Sequence, residues 1–268
     1  PVAVGGLPGQ RGVVAACNYE ARAYGVHSAM PMSIAFRSCP ELVRLPVRME
    51  LYRAVSARIH RIFRGYTDLV EPLSLDEAYL DVSGQEHCRG SASLMASEIR
   101  RRILETTGLT ASAGVGPNKL IAKIASDWNK PDGQTVSPPE KVDAFIRPLA
   151  VEKLFGVGRV TAEKLHRMGV YRCVDLQAVP VEKLQQKFGR FGPRLSQLSR
   201  GIDGRSVSTW RETRSLSIED TYPVDLPDLE ACIGALEPLH AGLLKRYQRK
   251  KEKTAESARS AGREVPAL

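Results

Sequence analysis

Apolar residues recur every three or four positions in two stretches of the first half of the chain, a spacing that matches one face of an α-helix. The first predicted helix spans 47–66, and its apolar stripe consists of Leu51, Val55, Ile59 and Ile62. The second spans about 91–107, ends at Gly108, and has an apolar face of Ala92, Met95, Ala96, Ile99 and Ile103. We expect both helices to pack one side against a core.

Two short apolar segments between these helices are typical of β-strands. Residues 69–73 and 78–82 predict the arms of a hairpin, with Ser74-Leu75 as its tight connection. After the second helix, 109–115 alternates as a strand, and 117–128 predicts a helix with proline in its first turn. This order of elements predicts an α+β fold, in which an antiparallel-rich sheet carries helices on one face.

Charge is distributed unevenly along this framework. The chain has 268 residues, of which 43% are hydrophobic, which suffices for a sizeable core and for two or three domains. Its net charge is +9, and residues 141–211 alone hold 14 Lys or Arg against 6 Asp or Glu, a net of +8. A basic helical segment beside nearly neutral ones favours a module that binds a polyanion.

The cysteines and the termini narrow the class of protein. Five cysteines are scattered without a Cys-x-x-Cys pair, which predicts a reduced, cytoplasmic protein without structural zinc. No apolar run reaches the roughly 18 residues of a transmembrane helix, and the amino terminus lacks the regions of a signal peptide. The chain begins within a strand-like Val-Ala-Val run, and we therefore expect the chain to be a fragment of a longer protein.

Asp76 and Glu77 stand side by side where the two predicted hairpin arms meet. Neighbouring residues of a strand point to opposite faces, so the two carboxylates converge only at a strand end or a turn. Adjacent carboxylates repel each other, and a divalent cation such as Mg²⁺ relieves that repulsion. The pair is a candidate metal site, although an Asp-Glu dipeptide is more often two surface charges at a turn.

A glycine-rich turn separates two predicted short helices in the basic segment. Gly156, Val157 and Gly158 form this turn, Arg159 follows it, and a weaker echo lies at 187–193. Glycine lets a ligand approach the backbone, and amides at the start of the second helix form an anion site. A plain tight turn explains the glycines equally well, but the local charge favours phosphate contact.

Tyr19 and Arg22 are three residues apart, so one helical turn places a phenol and a guanidinium on the same side. That arrangement suits phosphate oxygens, because arginine donates a bidentate pair of hydrogen bonds. Lys130 is another basic residue, just past a predicted helix end. Taken singly, each of the three is explained as a surface residue.

With these features in place, the chain resembles the Y family of translesion DNA polymerases, and most closely its bacterial DNA polymerase IV branch. The matching segments, in the family's order, are 18–22, 74–81, 113–127, 129–133 and the hairpin at 156–158. They cover about residues 1–225. Five motifs in the family's order make the resemblance specific, whereas any one of them alone is weak evidence.

The resemblance implies four domains around primer and template. Fingers are expected at 1–47 without the amino-terminal palm strand, palm at 48–137, a helix-hairpin-helix thumb at 138–210, and a linker with an incomplete little finger at 211–268. The implied fold is α+β, with a palm sheet covered by helices on one face, a small fingers domain and an all-helical thumb.

The resemblance also implies residue roles. Asp76 and Glu77 are expected to be catalytic and to hold Mg²⁺, with two ions in all, one of which arrives with the nucleotide. The β and γ phosphates of the incoming dNTP are expected to contact Tyr19, Arg22 and Lys130. Contacts to DNA are expected from Lys119, Gly156, Val157, Gly158 and Arg159.

The implied activity is template-directed addition of deoxynucleotides to a primer 3′ end, specialised for synthesis past damaged bases. Its implied partners are primer-template DNA and dNTP, with a sliding clamp for the full-length protein. The chain is expected to act as a monomer, away from any membrane.

The chain departs from the family pattern at both ends. Family members begin with a strand that carries a further metal-binding Asp and then an aromatic residue that excludes ribonucleotides, and this chain starts downstream of both. We therefore expect the chain to have little or no polymerase activity. The tail from 254 to 268 lacks the strand pattern of a little finger and a clamp-binding peptide, and we expect it to be poorly ordered.

Three other functional classes stay open. A non-catalytic relative would bind DNA or proteins through the same scaffold, but the retained nucleotide-binding and acidic residues argue against it. A helix-hairpin-helix nuclease or glycosylase would need its own catalytic cluster near the hairpin, and none is visible. A palm-type nucleotide cyclase explains the carboxylates but not the basic helical segment.

Overall fold

The computed structural model describes residues 1–210 and 214–260, with side chains up to residue 252. The strands of this described chain are β1 (Val2–Gly5), β2 (Val14–Cys17), β3 (Val43–Leu45), β4 (Val70–Pro72), β5 (Ala78–Leu80), β6 (Ala113–Val115) and β7 (Gln134–Val136). Its helices in the first half are α1 (Tyr19–Ala23), α2 (Met32–Ser38), α3 (Met49–Arg64), α4 (Ala92–Thr107) and α5 (Lys119–Trp128). Those in the second half are α6 (Val142–Ile146), α7 (Arg159–His166), α8 (Cys173–Gln177), α9 (Val181–Phe188), α10 (Phe191–Ser199) and α11 (Leu229–Ser260).

Two compact units are formed by these elements, one by residues 1–49 and 214–260 and the other by residues 50–210. In the first unit, β1 is the central strand of a three-stranded sheet. It pairs antiparallel with β2 and parallel with β3. Its buried core consists of Ala3, Val14, Ala21, Val26, Met32, Ala35, Cys39 and Leu42.

Helix α11 of the first unit covers Leu229–Ser260. The expectation that the tail from 254 to 268 is poorly ordered stays a prediction. Residues 261–268, where the prediction about a clamp-binding peptide falls, lie outside the described residues.

In the second unit, α3 and α4 cover a core of Ile62, Tyr66, Met95, Ile99 and Ile103. The predicted helix at 91–107 is confirmed as α4: the Ser91 hydroxyl caps it by accepting from the Leu94 amide, and Gly108 ends it in the left-handed conformation. Helix α3 is also confirmed, but Leu51 of its predicted stripe is exposed. The buried residues of α3 are Ser56, His60 and Ile62, and Ile59 of the predicted stripe packs against the core.

The β4–β5 hairpin lies where the sequence predicts it, but the predicted connection between its two strands is wrong. Residues 73–77 form a five-residue loop in place of the two-residue turn at Ser74-Leu75. The amides of Leu73 and Ser74 both donate to the Glu77 carbonyl, at 2.9 and 3.3 Å, and this pairing closes the wider loop. Both acidic residues therefore belong to the loop, immediately before β5.

Strands β6 and β7 pair in parallel, and α5 connects them. Helix α5 begins one residue after Asn118, whose side chain accepts from the Ile121 amide at 3.0 Å. Pro117 therefore precedes the N-cap, and the prediction that it lies in the first helical turn is wrong. The apolar side of α5 belongs to the same buried cluster as the helices of 142–199, with Ile121, Ile146, Leu165, Leu184 and Leu195 among its members.

Candidate active site

Asp76 and Glu77 lie in the hairpin loop and differ in their surroundings. Asp76 is exposed; its amide donates to the Ser74 hydroxyl at 3.3 Å, and that hydroxyl donates to Asp76 Oδ1 at 2.6 Å. Glu77 is half-buried, and its Oε1 accepts from Lys123 Nζ at 2.6 Å. The loop thus presents one carboxylate held by its own turn and a second held by a neighbouring helix.

Helix α5 contacts the hairpin at two points. Lys123 reaches the loop at Glu77, and one turn earlier Lys119 reaches β4, where its Nζ lies 2.5 Å from Glu71 Oε2. The ring of Tyr79 on β5 lies under the Lys119 ammonium, 5.1 Å from ring centroid to Nζ. Because residues four apart share one helix face, the two lysines form a single row facing the hairpin.

The DNA contact predicted for Lys119 is not supported by this placement. Its side chain is 9% exposed, and its ammonium donates to Glu71 and to the Ser206 carbonyl, the latter at 3.1 Å. An ammonium enclosed in this way is not available to a phosphate. We therefore leave Lys119 out of the DNA-binding residues.

The donor set at the loop suits a hard cation. Magnesium is commonly bound by one or two carboxylates, with water and substrate phosphates as its other ligands, and it takes oxygen donors. Asp76 and Glu77 supply two such carboxylates at an accessible loop. The described residues contain no group of three or more His, Cys, Asp or Glu placed to hold a metal. A metal at this loop would therefore depend on oxygens from outside these side chains.

Lys130 lies in the turn between α5 and β7. Its ammonium pairs with Asp127, three residues earlier, at 2.5 Å. Arg100 of α4 supports the same turn, since its guanidinium donates to the Asp132 carbonyl and carboxylate at 2.6 and 2.7 Å. A Cβ at Gly133 would stand 1.8 Å from the Asn129 carbonyl oxygen, so only glycine fits this close approach of the backbone.

A cavity of about 420 Å³ lies between α5 and the loop that precedes α7. It is lined by Tyr79, Leu120, Lys123, Ile124, Asp127, Trp128, Lys153 and Phe155. Lys123 links it to Glu77, and Asp127 links it to Lys130. The acidic loop and the Lys130 turn are thus both connected to the wall of one cavity.

Tyr19 and Arg22 lie in the unit formed by 1–49 and 214–260. Helix α1 begins at Tyr19, because the Asn18 side chain accepts from the Ala21 amide at 3.1 Å. Both predicted phosphate ligands are exposed on this single turn of helix. Their approach to Asp76, Glu77 and Lys130 stays a prediction.

The glycine-rich turn joins a 3₁₀ turn, Val151–Lys153, to helix α7. Gly156 has a φ of +86°, and Gly158 is the N-cap of α7 without a side chain to cap it. Arg159 is 91% exposed. Val157 differs from its neighbours, because its side chain is buried and its amide already donates to Leu154 at 3.0 Å. The exposed surface of this turn consists of Gly156, Gly158 and Arg159.

A buried ionic cluster outside the predicted site joins this turn to the segment that follows α10. Asp203 is fully buried; it accepts from Arg194 Nη2 at 2.6 Å and from Arg205 Nη2 at 2.8 Å. The Arg205 guanidinium lies over the Phe155 ring at 4.7 Å. Three residues after Arg205, the Ser208 amide donates to Glu71 at 2.8 Å. No spacing in the sequence pointed to these long-range partners.

Comparisons with known proteins identify the relatives of the chain. Residues 1–127 match the model of the impB/mucB/samB family, and residues 152–203 match the DNA polymerase-iota thumb domain. A protein of Ralstonia nicotianae named DNA polymerase IV is 55% identical over 93% of this chain and 70% of its own length. Another of that name, from Pseudomonas aeruginosa, is 57% identical over 88% of this chain and 67% of its own length.

Solved structures show the same likeness. DinB from Sulfolobus solfataricus is 33% identical, with a TM-score of 0.71, over 77% of this chain and 61% of the solved one. An insertion ternary complex of Dbh DNA polymerase is 32% identical with the same TM-score and coverage. The chain thus spans about three fifths of these solved chains. These similarities confirm the predicted fold class.

Among residues 1–210 and 214–260, no helix is long and apolar enough to cross a membrane.

Proposed function

This chain belongs to the Y family of DNA polymerases, and on that premise we propose that it carries the nucleotidyl-transfer site of a template-directed DNA polymerase that copies past damaged bases. One observation carries the proposal. The family's adjacent carboxylates, Asp76 and Glu77, lie together in an accessible loop that a buried ion pair and a surface ion pair hold against α5. The substrates would be primer-template DNA and a dNTP.

Asp76 and Glu77 would hold Mg²⁺, with a second ion arriving on the nucleotide. A bound divalent ion lowers the pKa of the primer 3′-hydroxyl and stabilises the charge that develops on the phosphates. The protein's own contribution is positional: the Ser74 hydroxyl orients Asp76, and the Glu77 carbonyl closes the loop. The two carboxylates belong to adjacent residues of this loop, immediately before β5.

Positive side chains would bind the triphosphate. Tyr19 and Arg22 are both exposed on α1, where a phenol and a guanidinium can donate to phosphate oxygens. Lys130 would add an ammonium from a turn that Arg100 and Gly133 hold in one conformation. A phosphate would then compete with Asp127 for the Lys130 ammonium.

The glycine-rich turn would bind the DNA backbone. Gly156 and Gly158 leave the backbone accessible, and the amides of the first turn of α7 would donate to a phosphate. Arg159 adds a charge within a segment of net charge +8. Such contacts supply affinity without preference for base sequence.

We further propose that the protein is a monomer. We also propose that it lies in the reducing cytoplasm, since none of the cysteines in the described residues forms a disulfide. A sliding clamp would be a partner of the full-length protein.

Primer extension tests the proposal. A labelled primer-template is incubated with dNTP, Mg²⁺ and the chain restored at its amino terminus with the family's Asp-bearing strand, and product length is measured on a gel. We expect Asp76→Asn and Glu77→Gln to slow extension about 100-fold or more, because each removes a carboxylate charge that would hold the cation at the reacting phosphate. Glu105→Gln is the matched control, since it removes an exposed carboxylate that pairs with Arg101 on α4. Extension that is unchanged in both loop variants would contradict the assignment.

A further inference from the structure

The two lysines of α5 that face the hairpin differ in their degree of burial. Side-chain exposure is 9% for Lys119 and 21% for its partner Glu71, but 31% for Lys123 and 40% for its partner Glu77. One ion pair therefore lies in the interior of the unit, and the other lies near solvent.

The Lys119–Glu71 pair is fully connected. Its ammonium donates to Glu71 and to the Ser206 carbonyl, and Glu71 accepts in addition from the Ser208 amide. Burial alone raises the pKa of Glu71, but the hydrogen bonds from Lys119 and the Ser208 amide outweigh it and hold that pKa below its ordinary value. Loss of one partner would leave an uncompensated charge in the interior. Glu71 sits opposite Tyr79 in the hairpin, so this pair joins α5 to the base of the hairpin.

The Lys123–Glu77 pair depends on a single contact. Lys123 Nζ donates to Glu77 Oε1, and both groups are near solvent, where an ion pair is worth little. The same carboxylate is one of the two that would hold a divalent cation. Lys123 and a cation would thus compete for Glu77, and the ammonium would also repel the cation.

We propose that Lys119 and Lys123 are positioning residues with opposite effects on the metal site: Lys119 holds the hairpin where both carboxylates can bind a divalent cation, and Lys123 is a counter-ion that the cation displaces. This inference rests on the proposed function, because it takes Asp76 and Glu77 as the cation ligands. Helix α5 would thus support the site through Lys119 and, before the metal binds, neutralise the charge of Glu77 through Lys123.

Binding of Mn²⁺ alone to the whole chain tests the inference without turnover. The electron paramagnetic resonance signal of free Mn²⁺ is titrated with wild type and variants. We expect Lys119→Met to weaken Mn²⁺ binding about tenfold, since the hairpin is no longer held. We expect Lys123→Met to strengthen binding about two- to fivefold, the range that an exposed ion pair contributes. The opposite sign of the two shifts is the distinguishing result.

Hydrogen exchange measured by mass spectrometry supplies a second readout. Lys119→Met should raise exchange of the peptides that cover 70–80, and Lys119→Arg should restore both slow exchange and Mn²⁺ affinity. Glu71→Gln keeps the shape of the side chain and should change hydrogen exchange and Mn²⁺ affinity in the same direction as Lys119→Met. It replaces Lys119→Met in the test if that variant does not fold. Leu184→Ala is the control for lost stability, because it empties a buried site in another part of the unit and should leave Mn²⁺ affinity unchanged.

The outcomes separate the two proposals. If Asp76→Asn does not weaken Mn²⁺ binding, the assigned cation site fails, and this inference fails with it. If Asp76→Asn weakens binding but the two lysine variants shift it in the same direction or not at all, only the inference is overturned. A loss of affinity in Leu184→Ala equal to that in Lys119→Met would likewise overturn it, since general destabilisation would then account for the effect.

Discussion

Asp203 illustrates how much one buried charge depends on its partners. Its carboxylate has no exposed surface and accepts hydrogen bonds from Arg194 and from both Nε and Nη2 of Arg205. Burial by itself raises the pKa of Asp203, but the hydrogen bonds from the two arginines outweigh it and hold the pKa well below its ordinary value. The carboxylate is therefore charged in the folded protein over the whole range in which the unfolded chain is also charged.

This shift predicts an acid-dependent stability. A depressed carboxyl pKa stabilises the fold above the unfolded value, near 3.8, and this contribution is lost as the pH falls below it. We expect Asp203→Asn to lower the free energy of unfolding by about 2 kcal/mol at pH 7. This is less than the usual cost of breaking a fully buried ion pair, because both arginines are partly exposed. The variant should also lose less stability than wild type between pH 4 and about pH 3. Urea unfolding followed by circular dichroism measures both, and equal losses for the two proteins would contradict the prediction.

At the scale of single elements, the turn before α7 combines two glycines with different constraints. Gly156 has a positive φ, and a Cβ there would meet the Phe191 ring at 3.2 Å. Gly158 has a φ of −86°, and a Cβ there would meet nothing within 4 Å. The fold thus requires glycine at the first position but not at the second, where the proposed DNA contact supplies a separate reason for it.

Alanine at these two positions should separate folding from binding. We expect Gly156→Ala to destabilise the protein by about 1 kcal/mol or more, since the left-handed conformation disfavours a side chain. Gly158→Ala should cost less than about 1 kcal/mol, the usual difference between these residues at an N-cap. Nevertheless, Gly158→Ala should weaken DNA binding several-fold, because its methyl group stands where a phosphate would approach the amides. Thermal unfolding and fluorescence anisotropy with labelled duplex measure the two effects. If DNA affinity is unchanged, Gly158 is only a turn residue.

The hairpin shows where local pattern is insufficient at this scale. Two short apolar segments predicted both arms, within which β4 and β5 are shorter than expected, but the length of the loop depends on which carbonyl the Leu73 and Ser74 amides meet. Turn type follows from such pairings and not from residue type alone. The wider loop places Asp76 and Glu77 together ahead of β5, where both remain accessible.

Across the whole molecule, the concentration of charge in residues 141–211 predicts how DNA binding responds to salt. Binding that neutralises phosphates releases counterions, so affinity falls steeply as salt rises. We expect the dissociation constant to increase at least about tenfold between 50 and 200 mM NaCl, the effect of two or more phosphate contacts. Duplexes of different sequence should bind within about threefold of one another. Anisotropy titrations at four salt concentrations test this, and affinity that is flat with salt would exclude the helix-hairpin-helix turn as a phosphate-binding surface.

Local sequence determined helices α3, α4 and α5, the two arms of the hairpin, the neighbouring positions of Asp76 and Glu77, and the basic character of 141–211, because periodicity and charge are properties of short segments. The tertiary structure decided which side chains meet. Lys119 and Lys123 occupy one face of one helix, yet only the path of the chain places one in the interior against Glu71 and the other near solvent against Glu77. The Ser208 amide reaches Glu71 from 137 residues away. No pattern of residues encodes such a pairing, since burial of a charged group depends on the partners that distant segments bring to it.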